Sequence, residues 1–216
     1  MKKSLLILTW VMSGTGAPQP QQPKATEPAR EEQAKLGFLI TSRGPGDGAN
    51  LGGLVGADAL CRMPAEAAGA GDRTWRARLS AGPSGNQPAV NARDRIGANP
   101  WHNAKGVQVA GDVADSHPEN NKLSKENSLT EQGGNGRGDT PNQHDILSGT
   151  QEDGSAFSDG EDDTCGNWTG NGEGSVKVGR HDRIGGGPNP TSWIGSHGSR
   201  GCSQDDLPVT GGNGYF

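Results

Sequence analysis

The stretch from His144 to Cys202 decides the fold: His144-Asp-Ile-Leu-Ser-Gly-Thr150, then Thr164-Cys165-Gly-Asn-Trp168-Thr169, His181-Asp-Arg183, Ser192-Trp193 and His197-Gly-Ser-Arg-Gly-Cys202-Ser203. Two cysteines and two tryptophans stand among glycines, asparagines and charges, with almost no aliphatic run between them. Such a segment buries neither a helix face nor a strand face, so covalent staples and large aromatic side chains must fix its shape. A loop-rich exported domain is the expectation.

Composition points the same way. Leu, Ile, Val and Phe make up about 14% of the chain, under the roughly 20% below which disorder becomes a concern. Disorder also requires a high net charge, and −5 over 216 residues is modest. Five tryptophans favour an ordered core. With 37 glycines and 14 prolines, the reading is one small, loop-heavy domain preceded by a tail.

Residues 1–17 read as a secretory signal peptide: Lys2 and Lys3, an apolar run from Leu5 to Met12, and the small residues Thr15-Gly-Ala17. Residues 18–35 are a Pro/Gln-rich spacer, and order begins near Leu36. No further apolar run is long enough to span a bilayer, so no transmembrane segment is expected. Export places the domain in the periplasm, on the cell surface or outside the cell. The acidic balance argues against nucleic acid as a partner.

Within the domain, Phe38 to Thr41 reads as a short strand ended by the turn Gly44-Pro-Gly-Asp-Gly48. A helix is expected from about Gly56 to Ala70, with Leu60, Cys61 and Ala65 on related turns and a kink or early break at Pro64. Trp75 to Ser80 alternates in the strand manner, placing Trp75, Ala77 and Leu79 on one face. His144 to Gly154 reads as a turn region. Val107 to Val109 and Val176 to Val178 are short extended candidates.

The order of Gly56-Ala-Asp-Ala-Leu-Cys61, Trp75-Arg-Ala-Arg-Leu-Ser80, Trp101, the His144 turn, Cys165-x-x-Trp168 and Gly201-Cys202-Ser203 resembles endostatin, the C-terminal domain of certain collagens. It is similar, more closely still, to bacterial exported proteins of lectin-like type. The resemblance covers residues 36–216. It implies an α+β domain of C-type lectin-like fold: a small twisted antiparallel sheet, one main helix and long disulfide-stapled loops. It also implies that Cys165 pairs with Cys202, and that Cys61 pairs with a cysteine in a last strand just beyond Phe216. Without that strand, Cys61 is a buried free thiol.

A family of this kind implies recognition of a glycan or cell-envelope polymer without enzymatic turnover, or else a structural or protein-binding role with an envelope or extracellular protein. Candidate ligand-binding residues are Trp101, His102, Asn103, Asp139, Asn142, His144, Asp145, Trp193 and His197, in which aromatic rings back polar groups that can grip a sugar. The Glu-Pro-Asn, Gln-Pro-Asp and Trp-Asn-Asp motifs that hold calcium in sugar-binding C-type lectins are missing; Trp193 is followed by Ile194-Gly195. Calcium is therefore a candidate only through Asp139, Asn142 and Asp145. Zinc through His144, His181 and His197 lacks a recognised ligand spacing. Arg137-Gly-Asp139 reads as a glycine turn, and Asp159 to Asp163 as a solvated acidic insertion. A serine hydrolase built on Ser199, with His144 or His197 as base, is the weakest alternative.

Overall fold

A computed structural model describes residues 35–98, 100–117, 120–136 and 139–216. Residues 1–17, expected to be a signal peptide, residues 18–34 of the expected spacer, and Arg137-Gly138 of the Arg-Gly-Asp tripeptide lie outside the described residues.

The architecture is mixed α and β, with two small antiparallel sheets. The main helix, α1 (Gly53–Ala67), buries Ala57, Cys61 and Ala65, spaced four residues apart so that they share one face. It starts and ends about three residues earlier than the sequence predicts. Pro64 sits inside it without the expected break, because the Pro64 carbonyl still accepts the amide of Ala68 and closes the final turn. Three single turns follow: α2 (Ala92–Arg95), α3 (Cys165–Trp168) and α4 (Leu207–Thr210).

Strands β1 (Trp101–His102) and β2 (Gln108–Ala110) form one sheet. In the other, β3 (Asp145–Leu147), β4 (Lys177–Arg180) and β5 (His197–Gly198) run in the order β3-β4-β5. β3 occupies part of the stretch expected to be a turn. Its register pairs Asp145 with Arg180, Ile146 with Gly179 and Leu147 with Val178. Because successive strand residues point to opposite faces, this sheet serves two cores. Leu147, Val176 and Val178 join Ala57, Cys61, Leu79 and Trp168 in one, while Ile146 joins Trp101, Val109, Trp193 and Tyr215 in the other. Gly179 has no room for a side chain, since a Cβ there would sit 1.9 Å from the Trp193 carbonyl oxygen.

Two stretches expected to be strands are extended but form no ladder. Phe38 to Thr41 divides its backbone bonds among His102, Leu129 and Phe216. In Trp75 to Ser80 the alternation of burial holds at Ala77 and Leu79. However, the Ala77 amide donates to Asp58 and the Ala77 carbonyl accepts from the Arg95 guanidinium, so side chains take the place of a neighbouring strand.

The Cys165–Cys202 disulfide is present, with both half-cystines buried, and Cys61 is a buried free thiol. The turn α3 carries positive φ at every position: 51° at Cys165, 67° at Gly166, 54° at Asn167 and 68° at Trp168. Left-handed conformation costs a non-glycine residue roughly 1–2 kcal/mol, so this turn needs strong anchors. The Thr164 hydroxyl accepts from the Asn167 amide, and Asp162 accepts from the Gly166 amide. Asn167 makes two amide bonds to the backbone of Gly82, and the fully buried Trp168 indole donates to the Ser80 carbonyl at 2.7 Å. Asp162 belongs to the acidic run expected to be a solvated insertion; it is exposed, and it also caps the turn.

Candidate functional site

The three-stranded sheet ends in charge. Asp145 opens β3, Arg180 closes β4 opposite it, and His197 opens the edge strand β5. His144 precedes Asp145, and its carbonyl accepts the amide of His181, which carries Asp182 into place as the next residue. The pleat puts Asp145 on the same face as Leu147, so its carboxylate lies at the end of an apolar core instead of in water. Its side chain is 0% exposed.

Around that carboxylate stand three groups able to carry positive charge. His144 Nε2 lies 3.4 Å, His197 Nε2 3.3 Å and Arg180 Nε 3.9 Å from Asp145 Oδ1. Among the described residues neither Asp145 oxygen has a hydrogen bond of good geometry, so proximity of charge holds the group. On its far side, the His144 ring lies with Nδ1 at 3.2 Å from both oxygens of Asp182. Burial pushes the Asp182 carboxyl up, yet its hydrogen bonds with His144 and with the Ile184 amide, together with the neighbouring imidazoles, bring it below the ordinary value. His197 moves upward: its contact with Asp145 outweighs burial, helped by the Gly198 carbonyl and opposed by Arg180. Gly211, at φ 108°, closes the roof, where a Cβ would come within 3.2 Å of the His144 ring. His197 is the most exposed of these side chains, at 20%.

Of the nine candidate residues, His144, Asp145 and His197 converge here, and Asn142 stands exposed at the rim with its amide 3.5 Å from His144 Nε2. Asp139 is exposed and paired with Lys125. The others lie elsewhere. Asn103 is fully buried and organises its own turn, accepting from the amides of Lys105 and Val107 and donating to Asn127. His102 is half-buried in β1. Trp101 and Trp193 are 8% and 2% exposed. Phe38 stacks on Trp101 and meets Trp193 edge-on, Arg78 covers the Trp193 face at 4.7 Å, and the Trp193 indole donates to Ser116. Both tryptophans line a hollow of about 130 Å³ together with Trp75, Cys61 and Phe216.

Sequence reasoning missed Arg180 and Asp182. The signal was present: two polar clusters, His144-Asp145 and Arg180-His181-Asp182, each abut a short apolar segment able to pair with the other. Ser199 is committed to structure, donating to the Gly201 carbonyl and accepting the Val176 amide. Among the described residues no group of three or more His, Cys, Asp or Glu side chains is arranged to hold a metal ion, and no helix is long and apolar enough to cross a membrane. No protein-family model matches the chain, and no curated protein matches it.

Proposed function

We propose that the chain is an exported, non-enzymatic recognition domain of C-type lectin-like fold, related to endostatin-type domains, that binds a glycan or envelope polymer at the rim formed by Asn142, His144 and His197. One observation carries the reading. Among the described residues, the fully buried carboxylate of Asp145 has no hydrogen bond of good geometry, and it lies beneath the half-buried ring of His197. Burying such a group is costly, and this domain has few apolar residues to offset it. At the rim above it the His197 ring and the Asn142 amide can meet a ligand hydroxyl, and a polar group left unpaired there penalises a ligand lacking that hydroxyl. The arrangement of one helix, small antiparallel sheets and a stapled Cys165–Cys202 loop supports the fold assignment.

A neutral glycan suits the surface better than an acidic polysaccharide. Arg76 and Arg95 both pair with Asp58, Arg93 pairs with Asp153, and the Arg78 guanidinium is buried over Trp193. These arginines therefore make no open basic face. With the Ser199 hydroxyl bound to backbone at both ends, a hydrolase reading has no nucleophile in that residue.

A glycan-array screen of the mature protein, repeated with chelator, tests the proposal. Selective binding that free sugar competes away, and that weakens at least tenfold in His197→Ala and Asn142→Ala, is the expected result. A blank array from folded, oxidised protein overturns it in favour of a protein-binding envelope role.

A further inference from the structure

The edge strand β5 is two residues long, pairs with β4 alone among the described residues, and places His197 half-buried and Gly198 exposed. Beside that pairing, the Ser196 amide donates to the Val178 carbonyl and the Ser199 amide to the Val176 carbonyl, and Ser199 is held further by Ser175 and the Val176 amide. The His197 side chain adds one more, reaching across β4 to the Asp145 carboxylate of β3. Both of its ring nitrogens face acceptors: Nδ1 lies 3.0 Å from the Gly198 carbonyl oxygen and Nε2 3.3 Å from Asp145 Oδ1. Only an imidazolium turns an N–H, and its positive charge, toward both oxygens. A neutral ring turns a lone pair toward one of those oxygens.

We propose that protonated His197 is a latch that fastens the edge strand β5 to the buried carboxylate of Asp145, and that loss of its proton releases β5 with its flanking residues Ser196 and Ser199, while Trp193 and Ile194 stay in their core. The groups facing the ring are Asp145 from β3 and Arg180 from β4, with His144 on the other side of Asp145 and Asp182 behind it. Losing the His197 charge leaves Asp145 with Arg180 at 3.9 Å and His144, which is shared with Asp182. The upward displacement of His197 agrees with this geometry and sets the sign. The latch is complete below the ordinary histidine value of about 6.5 and opens as pH rises through the higher value in the folded protein. His197 also lines the rim described above, so ligand binding there is favoured by acid. That consequence rests on the glycan reading; the latch does not.

Amide hydrogen exchange of the whole protein, followed by NMR from pH 5.5 to 9 and expressed as protection factors, tests the latch without any ligand. Protection at Ser196 and Ser199 is expected to fall about fivefold or more, with a midpoint matching the ring titration of His197. Protection at Ala81, whose amide donates to the Val90 carbonyl, stays constant. In His197→Gln, and separately in Asp145→Asn, the Ser196 and Ser199 profiles are flat at the released level. Protection that does not change with pH in the native protein, or that falls equally in either variant, overturns the proposal. A blank glycan array alongside a working latch refutes only the ligand.

Discussion

Replacing both Cys165 and Cys202 with alanine tests the account of how this aliphatic-poor chain stays folded. The bond joins residues 37 apart, and closing a loop of that size restricts the unfolded chain by about 4 kcal/mol on the chain-entropy model. Loss of two buried sulfur atoms adds on the order of 1 kcal/mol. Small domains hold roughly 5–15 kcal/mol in total, so most of the reserve goes. With a urea slope of about 2–3 kcal/mol per molar, the midpoint falls by about 1.5–2.5 M. Thermal unfolding comes down by about 10–20 °C, at 2–4 °C per kcal/mol for this chain length. The comparison is made in a Cys61→Ala background, so that no third thiol captures either partner. Loss of near-UV dichroism from Trp168, which sits in the same left-handed turn as Cys165, should accompany the shift. A midpoint change below about 0.5 M refutes the reasoning. It would mean that the hydrogen bonds of Thr164, Asp162 and Asn167 hold the turn unaided.

Two further outcomes follow from packing. Gly179→Ala drives a Cβ into the Trp193 carbonyl at 1.9 Å, and backbone cannot yield as a flexible side chain can. Soluble expression or a cooperative melt should be lost, which circular dichroism on heating will show. Burial, reinforced by Asp58, pushes the Cys61 thiol up to about 12. A colorimetric thiol reagent at pH 8 should therefore label the native protein at least a hundredfold more slowly than the unfolded chain, and rapid native labelling would show the hollow open to reagents.

What the sequence revealed and concealed follows from where backbone bonds go. The α1 stripe of Ala57, Cys61 and Ala65 repeats at helical spacing and is legible, because helix bonds are local. Trp75, Ala77 and Leu79 show their burial but not their partners. Asp58 and Arg95, distant in sequence, satisfy the backbone of Ala77 and no ladder forms. Strands of two or three residues, such as β1, β3 and β5, carry too few alternations to be read as strands. For the site, His144, Asp145 and His197 stood out as polar side chains in a turn-rich stretch. Arg180 and Asp182 did not, since their roles depend on the β3–β4 register, which sequence leaves open. Trp101 and Trp193 were legible as large aromatics, while their enclosure by Phe38 and Arg78 was not.

Ile146 and Leu147 are neighbours in the chain yet belong to different cores. No residue lies between them to act as a hinge, so neither core can melt while the other keeps β3 straight. The two cores are thus thermodynamically one body, and heat should undo them in a single calorimetric transition. A cavity cut on the Trp193 side then lowers the melting of Trp168 on the other. In a chain so rich in glycine and loop, that shared strand is what makes the domain cooperative.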